Sequence, residues 1–178
     1  MRAIAEACAS GEIAATAPVI VSPVMDSPAA MWAVQNGLSL QVVSPKADHY
    51  GPRLLDTLRN HRADWVCLAG YTRLLPMEVL AAFPNRILNI HPALLPKFGG
   101  KGMYGMRVHE AVLAAGETES GCSVHLVTEN YDEGPIVLQF RCPVEQSDTA
   151  ETLAARVLEL EKLAYKAALK KVLEFNEC

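Results

Sequence analysis

Asn89 and His91, in the stretch Asn89-Ile90-His91-Pro92, are the residues whose types and spacing could do chemistry. Side chains two apart on a strand share a face, so Asn89 and His91 point one way and Ile90 the other. An amide donor and an imidazole meeting at the carboxyl end of a strand could hold a developing oxyanion. The bland alternative is a polar pair satisfied by loop backbone. Asp132-Glu133-Gly134-Pro135 has the composition of a turn, and turn duty alone would account for it. That Asp could instead face a histidine, where a carboxylate favours imidazolium and raises the ring's pKa. Glu161 is the third candidate. At 3.6 residues per turn, Leu153, Val157, Leu160, Ala164, Ala168 and Val172 form one apolar stripe, and Glu161 falls within its arc. A carboxylate there is paired, at the rim, or part of a site.

Other positions carry weaker signals. Lys97–Gly105 holds Gly99, Gly100, Gly102 and Gly105, but lacks the Lys-Ser/Thr of a phosphate-binding P-loop, and reads as a mobile lid. Lys97, Lys101 and Arg107, on or beside it, could attract anions or simply be solvated. His125, within Cys122-Ser123-Val124-His125-Leu126-Val127, reads as a hydrogen-bonded core residue. His49, His61 and His109 make no metal spacing with it, so no metal is expected. Cys67, in an apolar run, reads as inert core.

These residues need elements to position them. The pattern predicts helices over Met1–Ser10, Pro28–Asn36, Pro52–Arg62, Pro76–Ala82, Arg107–Ala115 and Thr149–Phe175. It predicts strands over Pro18–Val21, Leu40–Val43, Trp65–Ala69, Arg86–Ile90, Cys122–Thr128 and Ile136–Val144. Strands alternating with helices point to an α/β fold: a Rossmann-like open sheet, mostly parallel, with helices on both faces and a late pair able to run antiparallel. Ligands of such sheets bind beyond the carboxyl ends of strands, which is where Asn89 and His91 fall.

Composition narrows the function classes. The chain has 178 residues, 51% of them hydrophobic, which suits one domain spanning 1–178. Sixteen Lys+Arg against twenty Asp+Glu give a net charge of -4, which argues against nucleic-acid binding. No apolar run approaches a membrane span, so no membrane partner is expected. The five cysteines, Cys8, Cys67, Cys122, Cys142 and Cys178, are odd in number and include no C-x-x-C pair, which fits a reducing cytoplasm.

Three blocks then carry a resemblance: Leu68-Ala69-Gly70-Tyr71-Thr72-Arg73-Leu74-Leu75, Asn89 through Phe98, and Asp132-Glu133-Gly134-Pro135. In residues, order and spacing the chain resembles phosphoribosylglycinamide formyltransferase, the folate-dependent enzyme of purine synthesis, from Met1 into the last helix. The resemblance implies transfer of a formyl group from 10-formyltetrahydrofolate to the amine of 5'-phosphoribosylglycinamide, without a metal. It implies Asn89, His91 and Asp132 as catalytic residues. Asn89 and His91, as imidazolium, would donate to the oxyanion, with Asp132 supporting His91. It places the folate near Arg73, Leu74, Leu75, Asn89, Thr128, Asn130 and Asp132, and gives Glu161 the substrate amine. Lys97–Arg107 matches a substrate-dependent loop, and Lys46 lies near a basic position on the folate side. The protein is then expected to act on small molecules as a monomer or homodimer.

Family members begin with a strand and a glycine-rich loop that holds the ribose phosphate. Met1-Arg2-Ala3-Ile4 matches the helix after that loop, so the first strand and phosphate loop are expected to be missing, with weak ribonucleotide binding as the consequence. Lys162 and Lys166 stand where some relatives have His and Pro. Formyltetrahydrofolate deformylase and a truncated, non-catalytic folate-binding domain are the rival readings. Methionyl-tRNA formyltransferase, with its extra domain and basic surface, fits neither the length nor the charge.

Overall fold

In the computed structural model, which describes residues 1–174, short apolar runs and amphipathic stretches become six strands and six helices among the described residues. The chain divides into two compact units, Met1–Val66 with Leu75–Ile87, and Cys67–Leu74 with the chain from Leu88 onward.

The first unit opens with α1 (Arg2–Ala9), which buries Ile4, Ala5 and Ala7 and ends before Gly11, whose φ of 77° suits glycine. The strands β1 (Ile20–Ser22) and β2 (Leu40–Val42) pair in parallel, Ile20 opposite Leu40. Between them lies α2 (Pro28–Gln35). Ser27 caps it by accepting the Ala30 N–H at 3.1 Å, and Pro28 takes the first helical position, where a missing N–H costs nothing. Helix α3 (Tyr50–Asn60) buries Leu54 and Leu58 and packs on α4 (Met77–Ala82), which buries Val79. The expected start of α3 at Pro52 is two residues late, because proline sits within the first turn rather than opening it.

A four-stranded sheet has the order β3-β4-β5-β6. These strands are β3 (Val66–Cys67), β4 (Ile87–His91), β5 (Glu119–Leu126) and β6 (Ile136–Pro143). The N–H groups of Val66 and Leu68 donate to the carbonyls of Arg86 and Leu88, so β3 and β4 run parallel. β5 joins β4 antiparallel, and β6 joins β5 antiparallel, as read for the late pair. The described strands thus form two sheets, with the parallel pairing confined to β1–β2 and β3–β4. Helix α5 (Met106–Ala114) buries Val108 and Val112.

Helix α6 (Ala150–Glu174) packs on β5, β6 and α5. Of its expected apolar stripe, Leu153, Val157, Ala164 and Ala168 are fully buried and Leu160 and Val172 half-buried, and Tyr165 and Leu169 widen it. The Tyr165 hydroxyl donates to the carbonyls of Leu68 at 2.7 Å and Leu88 at 2.9 Å, bracing β4 next to Asn89. The predicted helix end at Phe175 and the fifth cysteine, Cys178, lie outside the described residues. Among the described residues no helix is long and apolar enough to cross a membrane.

Candidate active site

The alternation of β4 places Asn89 and His91 on one face of the sheet, as the spacing predicts. Across β4–β5, Asn89 lies opposite His125 and His91 opposite Ser123. Across β5–β6, Ser123 lies opposite Gln139. Directly opposed side chains share a face, so five polar residues line this side, and Leu88, Ile90, Cys122 and Val124 occupy the other.

Asp132 reaches this face from the β5–β6 connection. Leu126 N–H donates to the Pro135 carbonyl at 2.9 Å, closing the connection tightly. Gly134 permits that closure, since a Cβ there would collide with the Leu126 carbonyl oxygen. Asp132 itself adopts a left-handed φ of 55°, a conformation Asp tolerates better than most residues. Turn duty and site duty therefore coincide in this segment.

The side chains converge. His91 Nδ1 lies 3.5 Å from Asp132 Oδ2, and His125 Nε2 lies 3.5 Å from Asp132 Oδ1. Asn89 Nδ2 is 3.1 Å from His125 Nε2. His125 Nδ1 is 2.9 Å from the Leu126 carbonyl, which can only accept, so Nδ1 carries a proton. Nε2 faces both the Asn89 amide and Asp132: without a proton it accepts one Asn89 N–H, and with one it donates to the carboxylate, and in the first case the second Asn89 N–H stays available. His91 Nε2–H donates to the Phe98 carbonyl at 2.7 Å. The Gly100 N–H donates to Asp132 Oδ2 at 2.9 Å, so the start of the expected mobile loop is held at two points.

Burial sets the electrostatics. It pushes the His91 pKa below its ordinary value, outweighing the opposite pull of Asp132 and the Phe98 carbonyl. The expected pull of the carboxylate is present, yet the net direction is down, because the ring is only 4% exposed. Burial also pushes Asp132 up, but hydrogen bonds from His125 and Gly100 and the charge of His91 outweigh it, so the carboxyl stays below the usual carboxylate value. His109, buried on α5, is pushed down by burial and then by His91, and its Nδ1 has no hydrogen-bond partner.

The remaining candidates spread out. Thr128 Oγ1 and the Asn130 backbone bond each other at 3.4 Å, and Asn130 Nδ2 donates to Glu133 at 2.9 Å, so both shape the loop that carries Asp132. Arg73 and Leu74 are exposed in the segment after β3, whereas Leu75 is buried in the first unit, where it serves packing. Burial raises the Glu161 carboxyl to about 7. Its charge acts on the Cys122 thiol, which lies on the sheet face away from His91. Lys97 pairs with Glu117 at 2.7 Å and Arg107 lies over the Tyr104 ring at 5.3 Å; Lys101 is exposed. Among the described residues no group of three or more His, Cys, Asp or Glu side chains could hold a metal ion.

His125 is the residue that sequence reasoning placed in the core. It is buried, as expected, yet it links the amide of Asn89 to the carboxylate of Asp132. Its two-residue spacing from Ser123 was a signal, but only the β4–β5 register shows which partner it meets. Together the four groups offer two N–H donors, Asn89 Nδ2 and His91 Nε2, beside an ionised carboxylate. That set suits stabilisation of a carbonyl oxygen gaining charge.

The family model described as formyl transferase matches residues 1–169. The chain is 46% identical over 170 residues to the chloroplastic phosphoribosylglycinamide formyltransferase of Arabidopsis thaliana, covering 92% of this chain and 58% of that protein. It is 44% identical over 179 residues to the chloroplastic protein of the same name from Vigna unguiculata, covering 97% of this chain and 57% of that one. The chain thus spans little more than half the length of these two relatives. Among solved structures, phosphoribosylglycinamide formyltransferase from Brucella melitensis superposes with a TM-score of 0.87 at 40% identity, over 97% of this chain and 88% of that one.

Proposed function

Because this chain belongs to the formyl transferase family, we propose that it transfers a formyl group from 10-formyltetrahydrofolate to the amine of 5'-phosphoribosylglycinamide, a step of purine synthesis. The observation that supports this most is the convergence of Asn89, His125, His91 and Asp132 around one point on the sheet face.

The neutral amine attacks the formyl carbon, and the formyl oxygen gains negative charge. The free Asn89 N–H and the His91 Nε2–H donate to it. In the resting protein His91 Nε2–H is held by the Phe98 carbonyl. A charged oxygen outcompetes a neutral carbonyl for that donor, since charge-assisted bonds are roughly twice as strong. The Phe98 carbonyl can only accept, so Nε2 carries a proton in either charge state of the ring and is the donor. The proton released by the amine passes to the folate nitrogen that leaves, so none is consumed. Asp132, held ionised, is placed to carry it in transit.

The folate rests against Arg73, Leu74 and the Thr128–Asp132 loop. Leu75 acts from beneath by packing, and Glu161 is the residue that holds the substrate amine, in line with the resemblance. The protein works in the cytoplasm as a monomer or homodimer, with small molecules as its partners. The test is to mix the chain with 10-formyltetrahydrofolate, with and without phosphoribosylglycinamide, and follow tetrahydrofolate by absorbance. Release that requires the amine supports the proposal. Formate released without the amine indicates a deformylase, and binding without turnover indicates a folate-binding module.

A further inference from the structure

Two polar side chains on the active face, the buried Ser123 and the half-buried Gln139, take no part in the chemistry above. Ser123 is opposite His91, and Gln139 is opposite Ser123, so the three form one row across β4, β5 and β6. The Ser123 hydroxyl is fully buried. It donates to the Ala93 carbonyl at 2.6 Å and accepts from the Leu95 N–H at 3.0 Å and from Gln139 Nε2 at 2.8 Å. That uses its one donor and both lone pairs. Gln139 Nε2 also donates to the Leu95 carbonyl at 3.0 Å. These bonds clamp residues 93–95, the segment between His91 and the loop.

Just beyond the clamp, Phe98 adopts a φ of 57°, left-handed backbone that a bulky residue rarely takes. Its carbonyl is the group that accepts His91 Nε2–H. Such a conformation persists only where the surroundings over-determine it. Here the Ser123–Gln139 clamp holds one side and the Gly100–Asp132 hydrogen bond the other.

We propose that Ser123 and Gln139 are positioning residues for His91: by clamping residues 93–95 they fix the Phe98 carbonyl, and that carbonyl aims the imidazole. The kinetic consequence rests on the formyl-transfer reading, while the spectroscopic one does not. Ser123→Ala, made in the full chain, lowers kcat by about 100-fold and leaves both KM values within about twofold. In a His91→Ala background the same substitution costs no further rate, because both changes act on one group. Gln139→Leu keeps the two backbone bonds of Ser123 and gives a smaller loss of the same kind; it carries the test if Ser123→Ala does not fold.

The independent readout is imidazole NMR on 15N-labelled protein. The His91 Nε2–H cross-peak is sharp in the unsubstituted chain and broadened by exchange in both variants. If that broadening occurs in a protein without formyl transfer, the positioning role stands and the formyl-transfer reading fails. If the cross-peak and kcat per folded molecule are unchanged while only the melting temperature falls, Ser123 and Gln139 serve folding alone and the proposal is overturned.

Discussion

Glu161 offers a quantitative handle on the electrostatics of the long helix. Burial raises its carboxyl from an ordinary 4.5 to about 7. The folded protein therefore binds this proton more tightly than the unfolded chain. The resulting stabilisation is complete below about 4.5 and is lost as the pH rises through about 7. At about 1.4 kcal/mol per pKa unit, a contribution of about 2.5 kcal/mol at pH ~5 has vanished by pH ~8. Glu161→Gln keeps the shape of the side chain and has no such proton to lose. Urea denaturation of both proteins at the two pH values is the assay. Between them, the unsubstituted protein loses about 2.5 kcal/mol more than the variant, a midpoint difference of about 1 M for an m-value near 2 kcal/mol per M. Identical pH dependence in the two proteins would refute the reasoning, because the carboxyl would then titrate as an exposed side chain.

Three other substitutions probe the frame of the site. Gly134→Ala drives a methyl group into the Leu126 carbonyl and costs about 3 kcal/mol or more; a thermal melt indistinguishable from the parent's contradicts the tight closure. The folded-state pKa of Asp132 is depressed, so its stabilisation is present above the ordinary 3.8 and is lost as pH falls through its lower folded value. Asp132→Asn should remove that part of the acid transition, read by circular dichroism against pH; an unchanged acid limb in the variant counts against it. Tyr165→Phe removes the donor shared by the Leu68 and Leu88 carbonyls and costs about 1–3 kcal/mol by denaturant titration; no measurable loss means that this brace contributes nothing.

Local periodicity made much of this architecture legible. The i, i+2 spacing of Asn89 and His91 fixed their common face, and the spacing along α6 identified its buried stripe before any neighbour was known. Pairing was not legible in the same way. The apolar run Trp65–Ala69 is a strand only at Val66–Cys67, with one further ladder bond from Leu68, because hydrophobicity does not report where a partner strand's hydrogen bonds end. The role of His125 depends on the β4–β5 register, a long-range property. Leu75 follows Leu74 in sequence, yet one is buried and the other 48% exposed, a distinction set by tertiary packing. The sign of the His91 shift needed the depth of burial as well as the neighbouring carboxylate, and sequence supplied only the second. The spacing along α6 marks Glu161 as a carboxylate within an apolar arc, but the face that it serves comes from the fold.

The central claim is that preset donors stabilise the formyl oxygen in the transition state. Its most direct test is kcat for amine-dependent formyl transfer by Asn89→Ala, which deletes the amide next to His125. The account predicts a fall of about 100- to 1,000-fold, equivalent to about 3–4 kcal/mol of barrier, in a protein that remains folded. Turnover by Asn89→Ala at the rate of the unsubstituted protein would contradict it.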